Sequence, residues 1–269
     1  MSSSPPVVVS FAASDPTGGA GVQADILTLA AFGCHPASVV TALTAQDTRG
    51  VEALLAIEPD WIERQARLLF ADMPIAACKL GVLGSAANAR AIARLLSERA
   101  ALPVVLDPVL ASGRGDALAD AEAIRAIRES LLPVTTVLTP NSVEARRLVG
   151  ADPDASLEQC ARALIEAGCR HVLVTGTHEA TPQVVNTLYG ARGKLREDRW
   201  ERLPGSYHGS GCTLASAMAA LLARGREIAD AAREAQDYTW RALKAGFRPG
   251  KGQFLPNRDE AARSLRDHA

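Results

Sequence analysis

Residues 208–213 read His-Gly-Ser-Gly-Cys-Thr and stand directly before an apolar stretch, Thr213 to Gly225, that is typical of a buried helix. Backbone N–H groups at a glycine-rich turn and at a helix N-terminus point the same way, and the helix dipole adds about half a positive charge there. We therefore expect Gly209, Ser210 and Gly211 to form an anion hole. The alternative is a glycine-rich turn that only caps a buried helix.

Cys212 follows the glycine-rich turn and stands directly before the predicted helix. A thiol at a helix N-terminus has its pKa lowered by the dipole, so Cys212 could accept a proton or donate to a phosphate oxygen. The alternative is a small core residue. The chain has five cysteines, an odd number, with no C-x-x-C pair and no metal-ligand spacing, and we expect reduced thiols of which four only pack the core.

Outward from this segment, short β-branched runs alternate with helix-length amphipathic stretches. Several of the runs are apolar without alternation, as expected when both faces of a parallel sheet are covered. The pattern predicts an α/β fold, a doubly wound, mostly parallel central sheet with helices on both faces and right-handed crossovers. The predicted strands are Val7–Phe11, Ser38–Leu43, Ala76–Leu80, Val104–Leu106, Val137–Leu138 and His171–Thr175.

Helices are predicted in the gaps, with Gly150 and Gly168 placed where helices end. After Thr175 the pattern changes to a hairpin, Val184–Tyr189 and Lys194–Leu203. With no linker of domain-separating length, residues 1–269 are predicted to form a single domain. The predicted helices are Gly21–Ala31, Pro59–Phe70, Asn88–Arg99, Glu122–Leu131, Ser142–Val149, Leu157–Ala167, Thr213–Ala223 and Ile228–Ala245.

The amino-acid composition indicates which kind of molecule the protein binds. The 269 residues carry a formal net charge of −1 with 48% hydrophobic residues and no block of like charges. This offers no electrostatic surface for nucleic acid or an anionic membrane, so we expect a small-molecule partner. No apolar run approaches about 18 residues, and the start lacks the basic region of a signal peptide, which favours a cytoplasmic protein.

Polar residues stand just after the predicted strands, where ligands bind in open sheets of this type. Gln46 offers a donor and an acceptor, the complement of an aminopyrimidine edge. Asp25 and Asp107 are candidate ligand-binding carboxylates or, alternatively, satisfied structural ones. Asn141 and Glu144 have capping-box spacing, which is the alternative to a site there.

Other phosphate-binding and catalytic motifs are absent from the sequence. Residues 190–194, Gly-Ala-Arg-Gly-Lys, and Gly250-Lys251 lack Walker A spacing and a following Ser or Thr. The loop at 15–25 fails the spacing of the dinucleotide fingerprint. No H-E-x-x-H, G-x-S-x-G or EF-hand loop occurs.

Together these segments resemble the ribokinase superfamily and, within it, the hydroxymethylpyrimidine/phosphomethylpyrimidine kinases of thiamine biosynthesis. The resemblance runs from about Val7 to Ala245. Its specific motifs include Ser-Asp-Pro-Thr-Gly-Gly-Ala-Gly-Val-Gln-Ala-Asp at 14–25 and Leu-Thr-Pro-Asn-Ser-Val-Glu-Ala at 138–145. The remaining motifs are 39–51, 79–83, 105–109 and 208–214.

The resemblance implies a ribokinase-like fold and ATP- and Mg²⁺-dependent phosphorylation of a pyrimidine alcohol and of its monophosphate. It implies that Asp25 and Gln46 hold the pyrimidine in a pocket lined by Ala20 and Val109. By the same resemblance Asp107 and Glu144 organise Mg²⁺, while Asn141, Glu144 and Thr175 face the nucleotide. Cys212 stands where most of the superfamily has an aspartate base, above the anion hole of Gly209, Ser210 and Gly211. Family members are often dimers, so we expect a homodimer.

Departures from the family pattern leave two alternatives open. The family's Lys-Gly-Gly-His, whose lysine reaches a nucleotide phosphate, is Thr175-Gly176-Thr177-His178 here. Tyr207, Ala13 and Val82 replace a common threonine, glycine and methionine. The alternatives are a pyridoxal kinase of the same superfamily and a non-catalytic pyrimidine-binding sensor.

Overall fold

The computed structural model describes residues 4–112, 115–116 and 118–266. Within them, nine strands form one sheet. The strands are β1 (Val7–Ser14), β2 (His35–Gln46), β3 (Val51–Ala56), β4 (Ile75–Leu80), β5 (Val104–Leu106), β6 (Val137–Leu138), β7 (His171–Val174), β8 (Gln183–Gly190) and β9 (Gly193–Glu201).

Helices cover both faces of this sheet. Among the described residues, none of them combines the length and the apolar character needed to span a membrane. The helices are α1 (Gly21–Ala31), α2 (Pro59–Asp72), α3 (Ala86–Ser97), α4 (Ala121–Ala126), α5 (Ser142–Val149), α6 (Leu157–Glu166), α7 (Ser210–Ala223), α8 (Ile228–Lys244) and α9 (Arg258–Arg266), and α4 continues as a π-helical turn, Ile127–Leu131, and a 3₁₀ turn, Leu132–Val134.

The strand order is β3-β2-β1-β4-β5-β6-β7-β8-β9. The pairs from β2 through β1, β4, β5 and β6 to β7 are parallel, and the pairs β2/β3, β7/β8 and β8/β9 are antiparallel. The chain passes from β1 to β2 on one side and to β4 on the other. The predicted mostly parallel, doubly wound sheet is confirmed, and a crevice is expected where the order reverses, beyond the carboxyl ends of these strands.

Alternate residues of β1 enter different cores. Val8 packs with Leu29 and Met218 in the layer formed with α1, α7 and α8. Its neighbour Val9 packs with Ile92 in the opposite layer. Because each face of the strand is buried, the sequence of β1 is apolar without alternation.

The predicted helices and strands are largely confirmed, with α1 and α5 matching in full. The predicted helix Glu122–Leu131 becomes α-helical only to Ala126, and α7 begins at Ser210 rather than Thr213. Two elements were not predicted. Strand β3 is largely exposed and lacks a buried apolar run, and α9 is rich in charge, although Asn257 before it accepts a hydrogen bond from the Glu260 N–H at 3.1 Å, which is a start signal.

Candidate active site

A cavity of about 800 Å³ opens beyond the carboxyl ends of the parallel strands. Residues that follow different strands meet here because parallel strands end at one edge of the sheet. The structure brings together all but one of the predicted site residues along this cavity: Ala20, Gln46, Asp107, Val109, Asn141, Glu144, Thr175, Gly209, Ser210, Gly211 and Cys212. The exception is Asp25.

The glycine-rich turn lies against the loop that follows β1. Gly209 has a φ of 84° at the start of α7, and a side chain there would overlap the Gly19 carbonyl oxygen. A Cβ on Gly211 would lie 3.3 Å from an Asp107 carboxylate oxygen. In the described residues, no side chain caps the N-terminus of α7. Its first N–H groups therefore point into the cavity as donors for an anion.

Cys212 is buried at this turn, and the expected lowering of its pKa is wrong. Burial raises the pKa of the thiol to about 12, and although Lys79 acts against this, Asp107 and Asp25 add to it. The dipole of one helix is a smaller effect than removal of a thiolate from water beside two carboxylates. The Cys212 thiol therefore keeps its proton at neutral pH, and its role as a base remains a prediction.

Two carboxylates, the buried Asp107 and the half-buried Glu144, line the cavity. Burial raises the pKa of Asp107 to about 6, partly offset by Lys79. Burial, and then the Asp107 charge, raise the pKa of Glu144 to about 8. One oxygen of Asp107, Oδ2, is buried without a hydrogen-bond partner in the described part of the chain. A cation between the two carboxylates would favour both charges.

Glu144 also belongs to a real capping box. The Glu144 N–H donates to Asn141 Oδ1 at 2.9 Å, and the Asn141 N–H donates to Glu144 Oε2 at 2.9 Å. The other oxygen, Oε1, accepts the Leu110 N–H at 3.4 Å and lies at the cavity. The cap and the site are thus compatible, because the carboxylate uses its two oxygens differently. Within the described ranges, no cluster of three or more His, Cys, Asp or Glu side chains is placed to hold a metal ion.

Asp25 does not contact the cavity, and this corrects the predicted pyrimidine contact. It is fully buried and accepts hydrogen bonds from Ser10 Oγ at 2.6 Å and Ser216 Oγ at 2.8 Å. Its carboxylate also pairs with Lys79 Nζ at 2.8 Å. Three donor atoms, Ser10 Oγ, Ser216 Oγ and Lys79 Nζ, surround the carboxylate, so Asp25 holds a lysine rather than a substrate.

Lys79 received no role from the sequence, yet it is a cation on the cavity wall. It is fully buried in β4, and although burial opposes its charge, Asp25, Cys212 and Asp107 raise the pKa of its ammonium. A lysine inside an apolar central strand was the available signal, because a fully buried lysine requires a partner.

Asp15 and His208 connect the loop after β1 to the turn before α7. His208 Nε2 lies 2.8 Å from Asp15 Oδ2, and the same carboxylate accepts the N–H groups of Thr17 at 2.8 Å and Ala20 at 2.7 Å. Burial opposes the charge of Asp15, but the hydrogen bonds from His208, Thr17 and Ala20 outweigh it and hold its pKa at about 2. The loop that carries Ala20 is therefore built around a buried carboxylate.

Gln46 ends β2 at the side of the cavity formed by this loop. Its Nε2 donates to Thr44 Oγ1 at 2.7 Å, and Thr44 Oγ1 donates to the Ser14 carbonyl at 2.8 Å. The Gln46 amide is half-buried on the cavity wall, next to Ala13 and Val82. This side offers one hydrogen-bonding amide among small apolar surfaces, which suits a flat polar ring.

Thr175 lies at the opposite end of the cavity and adds no positive charge. Its N–H donates to the Pro140 carbonyl at 2.9 Å, and its carbonyl accepts the Ser142 N–H at 3.0 Å. Arg202, also on the cavity wall, donates to the Thr177 carbonyl at 2.7 Å and the Glu179 carbonyl at 3.0 Å. A guanidinium from β9's end thus stands beside the segment in which the lysine is missing.

The family model described as phosphomethylpyrimidine kinase matches residues 15–257. The hydroxymethylpyrimidine/phosphomethylpyrimidine kinase of Streptomyces coelicolor is 41% identical over 254 residues, which cover 92% of this chain and 92% of the relative. Similarity therefore extends over nearly the whole of both chains.

Solved structures share the fold. A phosphomethylpyrimidine kinase from Clostridium difficile is 31% identical with a TM-score of 0.77, covering 88% of this chain and 99% of its own. The pyridoxal kinase of Bacillus subtilis, solved as an ADP complex, is 27% identical with a TM-score of 0.87, covering 97% of this chain and 100% of its own. The predicted ribokinase-like fold is confirmed.

Proposed function

The chain belongs to the phosphomethylpyrimidine kinase family, and from this premise we propose that it phosphorylates 4-amino-5-hydroxymethyl-2-methylpyrimidine with ATP and then phosphorylates the resulting monophosphate. These are two steps of thiamine diphosphate biosynthesis. The observation that carries the proposal is one cavity with an amide, Gln46, at one side and a glycine-rich helix N-terminus, Gly209 to Gly211, facing two carboxylates. An acceptor oxygen and a transferred phosphate would meet between them.

In the first step the hydroxymethyl oxygen forms a bond to the terminal phosphorus of ATP and the bond to the ADP oxygen breaks. The thiol of Cys212 first gives its own proton to the neighbouring Asp107 carboxylate, and the thiolate then takes the alcohol proton. The N–H groups of Gly209, Ser210 and Gly211 donate to the phosphate oxygens. Lys79 adds positive charge beside them. Since phosphoryl transfer has a loose transition state, positioning and charge neutralisation dominate and a weak base suffices.

Asp107 and Glu144 fit a Mg²⁺ ion. Carboxylate oxygens are its preferred protein ligands, and Mg²⁺ sites in kinases use one or two carboxylates together with substrate phosphates. The buried, unpartnered Oδ2 of Asp107 supports this assignment. When bound, the ion would neutralise phosphate charge. Asn141 and Thr175 are proposed to face the nucleotide phosphates.

The Gln46 amide favours an aminopyrimidine, because a donor and an acceptor match an amine beside a ring nitrogen. Pyridoxal kinase is the second candidate, since the Bacillus subtilis pyridoxal kinase superimposes with a TM-score of 0.87. Its substrate is also a flat ring with a hydroxymethyl group. The substitution of Thr175 for the family's lysine motivates a third candidate, a pyrimidine-binding sensor without turnover.

Measuring ADP release with each ring compound tests the proposal. We expect turnover with the pyrimidine alcohol and with its monophosphate, and a kcat/KM for pyridoxal that is lower by at least about 10-fold. Higher kcat/KM with pyridoxal would establish the second candidate. Binding of the pyrimidine without ADP release would establish a sensor.

Replacing Gln46 tests the assignment of ring selectivity. Gln46→Leu should lower kcat/KM for the pyrimidine alcohol by a factor that corresponds to about 2–4 kcal/mol of lost transition-state stabilisation, because a buried amino group of the ring loses its partner. The KM for ATP should stay within about twofold. The exposed Gln183→Leu, at the start of β8, serves as the matched control. Unchanged pyrimidine kinetics in Gln46→Leu would show a residue that only packs.

We further propose that residues 1–269 act as one cytoplasmic domain that forms a homodimer. Exposed apolar side chains support a contact surface: Leu43 and Leu55 are paired neighbours on β2 and β3, and Trp61 and Leu68 are exposed on α2. Sedimentation velocity should give twice the 28.3 kDa monomer mass. A monomer at micromolar concentration would contradict the homodimer.

A further inference from the structure

Arg258 is a buried cation at the first position of α9. The side chain is 5% exposed and has three acceptors: its Nη2 donates to the Gly19 carbonyl at 2.6 Å and to the Gly209 carbonyl at 3.4 Å, and its Nε donates to Thr213 Oγ1 at 3.1 Å. These acceptors lie 239, 49 and 45 residues away along the chain. The side chain is not part of the cavity wall formed by described residues.

The hydrogen bonds of the Arg258 guanidinium go to neutral oxygens. No ion pair joins it to a carboxylate in the ranges that the structure describes. Burial lowers the pKa of its guanidinium, because the cation is removed from water, and the more distant charges of Asp25 and Asp15 offset this only in part. Burying a cation with no carboxylate in direct contact is unfavourable, and apolar residues of similar size avoid that cost. Stabilisation of the fold alone therefore does not account for a cation at this point.

The acceptors of Arg258 belong to the two halves of the proposed active site. Gly19 precedes Ala20 in the loop on the pyrimidine side, whereas Gly209 belongs to the anion hole and Thr213 follows it in the first turn of α7. The two segments touch here, since a side chain on Gly209 would overlap the Gly19 carbonyl. A guanidinium has donors in a rigid planar fork, so one side chain can fix the relative position of several carbonyls.

We infer that Arg258 is a positioning residue that fixes the pyrimidine loop relative to the anion hole, and thereby sets the separation between the attacking hydroxymethyl oxygen and the transferred phosphate. It acts through the Gly19 and Gly209 carbonyls and contacts neither substrate. The inference rests on the proposed phosphoryl transfer. A misplacement of about 1 Å of reacting groups can reduce a rate by about 10²-fold, so a small shift between the two loops is sufficient.

The test compares Arg258→Met, Arg258→Lys and a matched control, Tyr238→Phe. The Tyr238 hydroxyl donates to the Arg258 carbonyl at 3.0 Å, so the control weakens the docking of α9 without touching the guanidinium. For Arg258→Met we expect kcat to fall about 10- to 100-fold with the KM for ATP within about twofold. Arg258→Lys should be intermediate, because one ammonium cannot span the three acceptors. Tyr238→Phe should lower the unfolding midpoint and leave kcat unchanged.

Three outcomes would overturn the inference: kcat of Arg258→Met within twofold of wild type, kcat of Arg258→Lys equal to wild type, or a loss of kcat in Tyr238→Phe that follows its loss of stability. If Arg258→Met does not fold, Arg258→Lys decides. Absence of ADP release by the wild type with the alcohol and the monophosphate would contradict the proposed function instead, so the two failures are distinguishable.

Discussion

At the residue scale, Cys212 shows why a side chain's environment must be known before its chemistry is assigned. The helix N-terminus favours a thiolate, yet burial beside Asp107 and Asp25 raises the pKa to about 12. The alcohol needs to lose a proton during transfer, whereas the monophosphate is already an anion at neutral pH. The thiol should therefore matter unequally in the two steps.

Cys212→Ala should slow phosphorylation of the alcohol by at least about 10²-fold and slow phosphorylation of the monophosphate much less. The backbone N–H groups of the anion hole remain in place, and alanine is a good helix former. Each step is assayed separately with purified alcohol or monophosphate. Cys160→Ala, a buried thiol in α6, controls for the loss of packing. Equal losses in the two steps would remove Cys212 as the base.

Thr175 stands where the family has a lysine, so this position of the nucleotide site lacks a positive charge. Arg202 lines the same part of the cavity but its guanidinium is exposed and bonded to carbonyls. We expect Thr175→Lys to lower the KM for ATP about fivefold, which corresponds to about 1 kcal/mol for a solvated charge-assisted contact.

Arg202→Met should raise the same KM, and the added lysine should restore it in the double variant. Steady-state kinetics with varied ATP measure both. An unchanged KM for ATP on adding the lysine to either background would show that the phosphate site lacks no charge.

At the scale of the element, the two ends of α7 carry glycines with the same backbone requirement and different surroundings. Gly209 has a φ of +84° and no room for a Cβ, because the Gly19 carbonyl lies there. Gly225 has a φ of +77° and a Cβ there would meet nothing within 4 Å. The pair separates the cost of left-handed backbone from the cost of the close approach.

Gly225→Ala should lower the free energy of unfolding by about 1–2 kcal/mol, the cost of a left-handed alanine, and leave kcat unchanged. Gly209→Ala should lower it by more and reduce kcat at least about 10-fold, because the overlap moves the anion hole away from the loop at Gly19. Denaturant unfolding and ADP release measure the two effects. Equal stability losses and equal kcat in the two variants would mean that the contact at Gly209 is relaxed at no cost.

At the scale of the whole molecule, the Asp15 carboxylate joins the loop after β1 to the turn before α7. Asp15 and His208 are 193 residues apart in the chain and 2.8 Å apart in space. The folded pKa of Asp15, about 2, is below its ordinary value of 3.8. A carboxyl with a lowered folded pKa stabilises the protein above its unfolded pKa, and the stabilisation is lost as pH falls towards the folded value.

Asp15→Asn should therefore reduce the free energy of unfolding by about 2 kcal/mol at pH 7, and its difference from wild type should halve by about pH 3. Urea unfolding at several pH values between 3 and 7 measures this difference. The exposed Asp72→Asn, at the end of α2, is the control. A wild-type advantage that does not change over this range would show that Asp15 contributes no ionisation-linked stability.

The periodicity of apolar residues in the sequence was sufficient to predict the sheet and most helices. The reason is local: a strand buried on both faces is apolar throughout, and a helix buried on one face has one apolar stripe. The sequence also indicated the site through local signals, namely the glycines at 209 and 211, the capping pair Asn141 and Glu144, and the polar residues after strands. A turn, a helix start and a strand end each depend on residues that are close together in the chain. Strand β3 and helix α9 have little local apolar signal. They are held by neighbours that a pattern along the chain does not contain.

Only the tertiary structure decided the site's charges and connections. In the folded protein Asp25 pairs with Lys79 and does not line the cavity. Burial raises the pKa of Cys212, whereas the helix dipole alone would lower it. Arg258 donates a hydrogen bond to the Gly19 carbonyl. The physical reason is that burial and electrostatic interaction depend on distances through space. Residues 54, 193 or 239 positions apart become neighbours only when the chain folds, and no local spacing in the sequence shows which of them will meet.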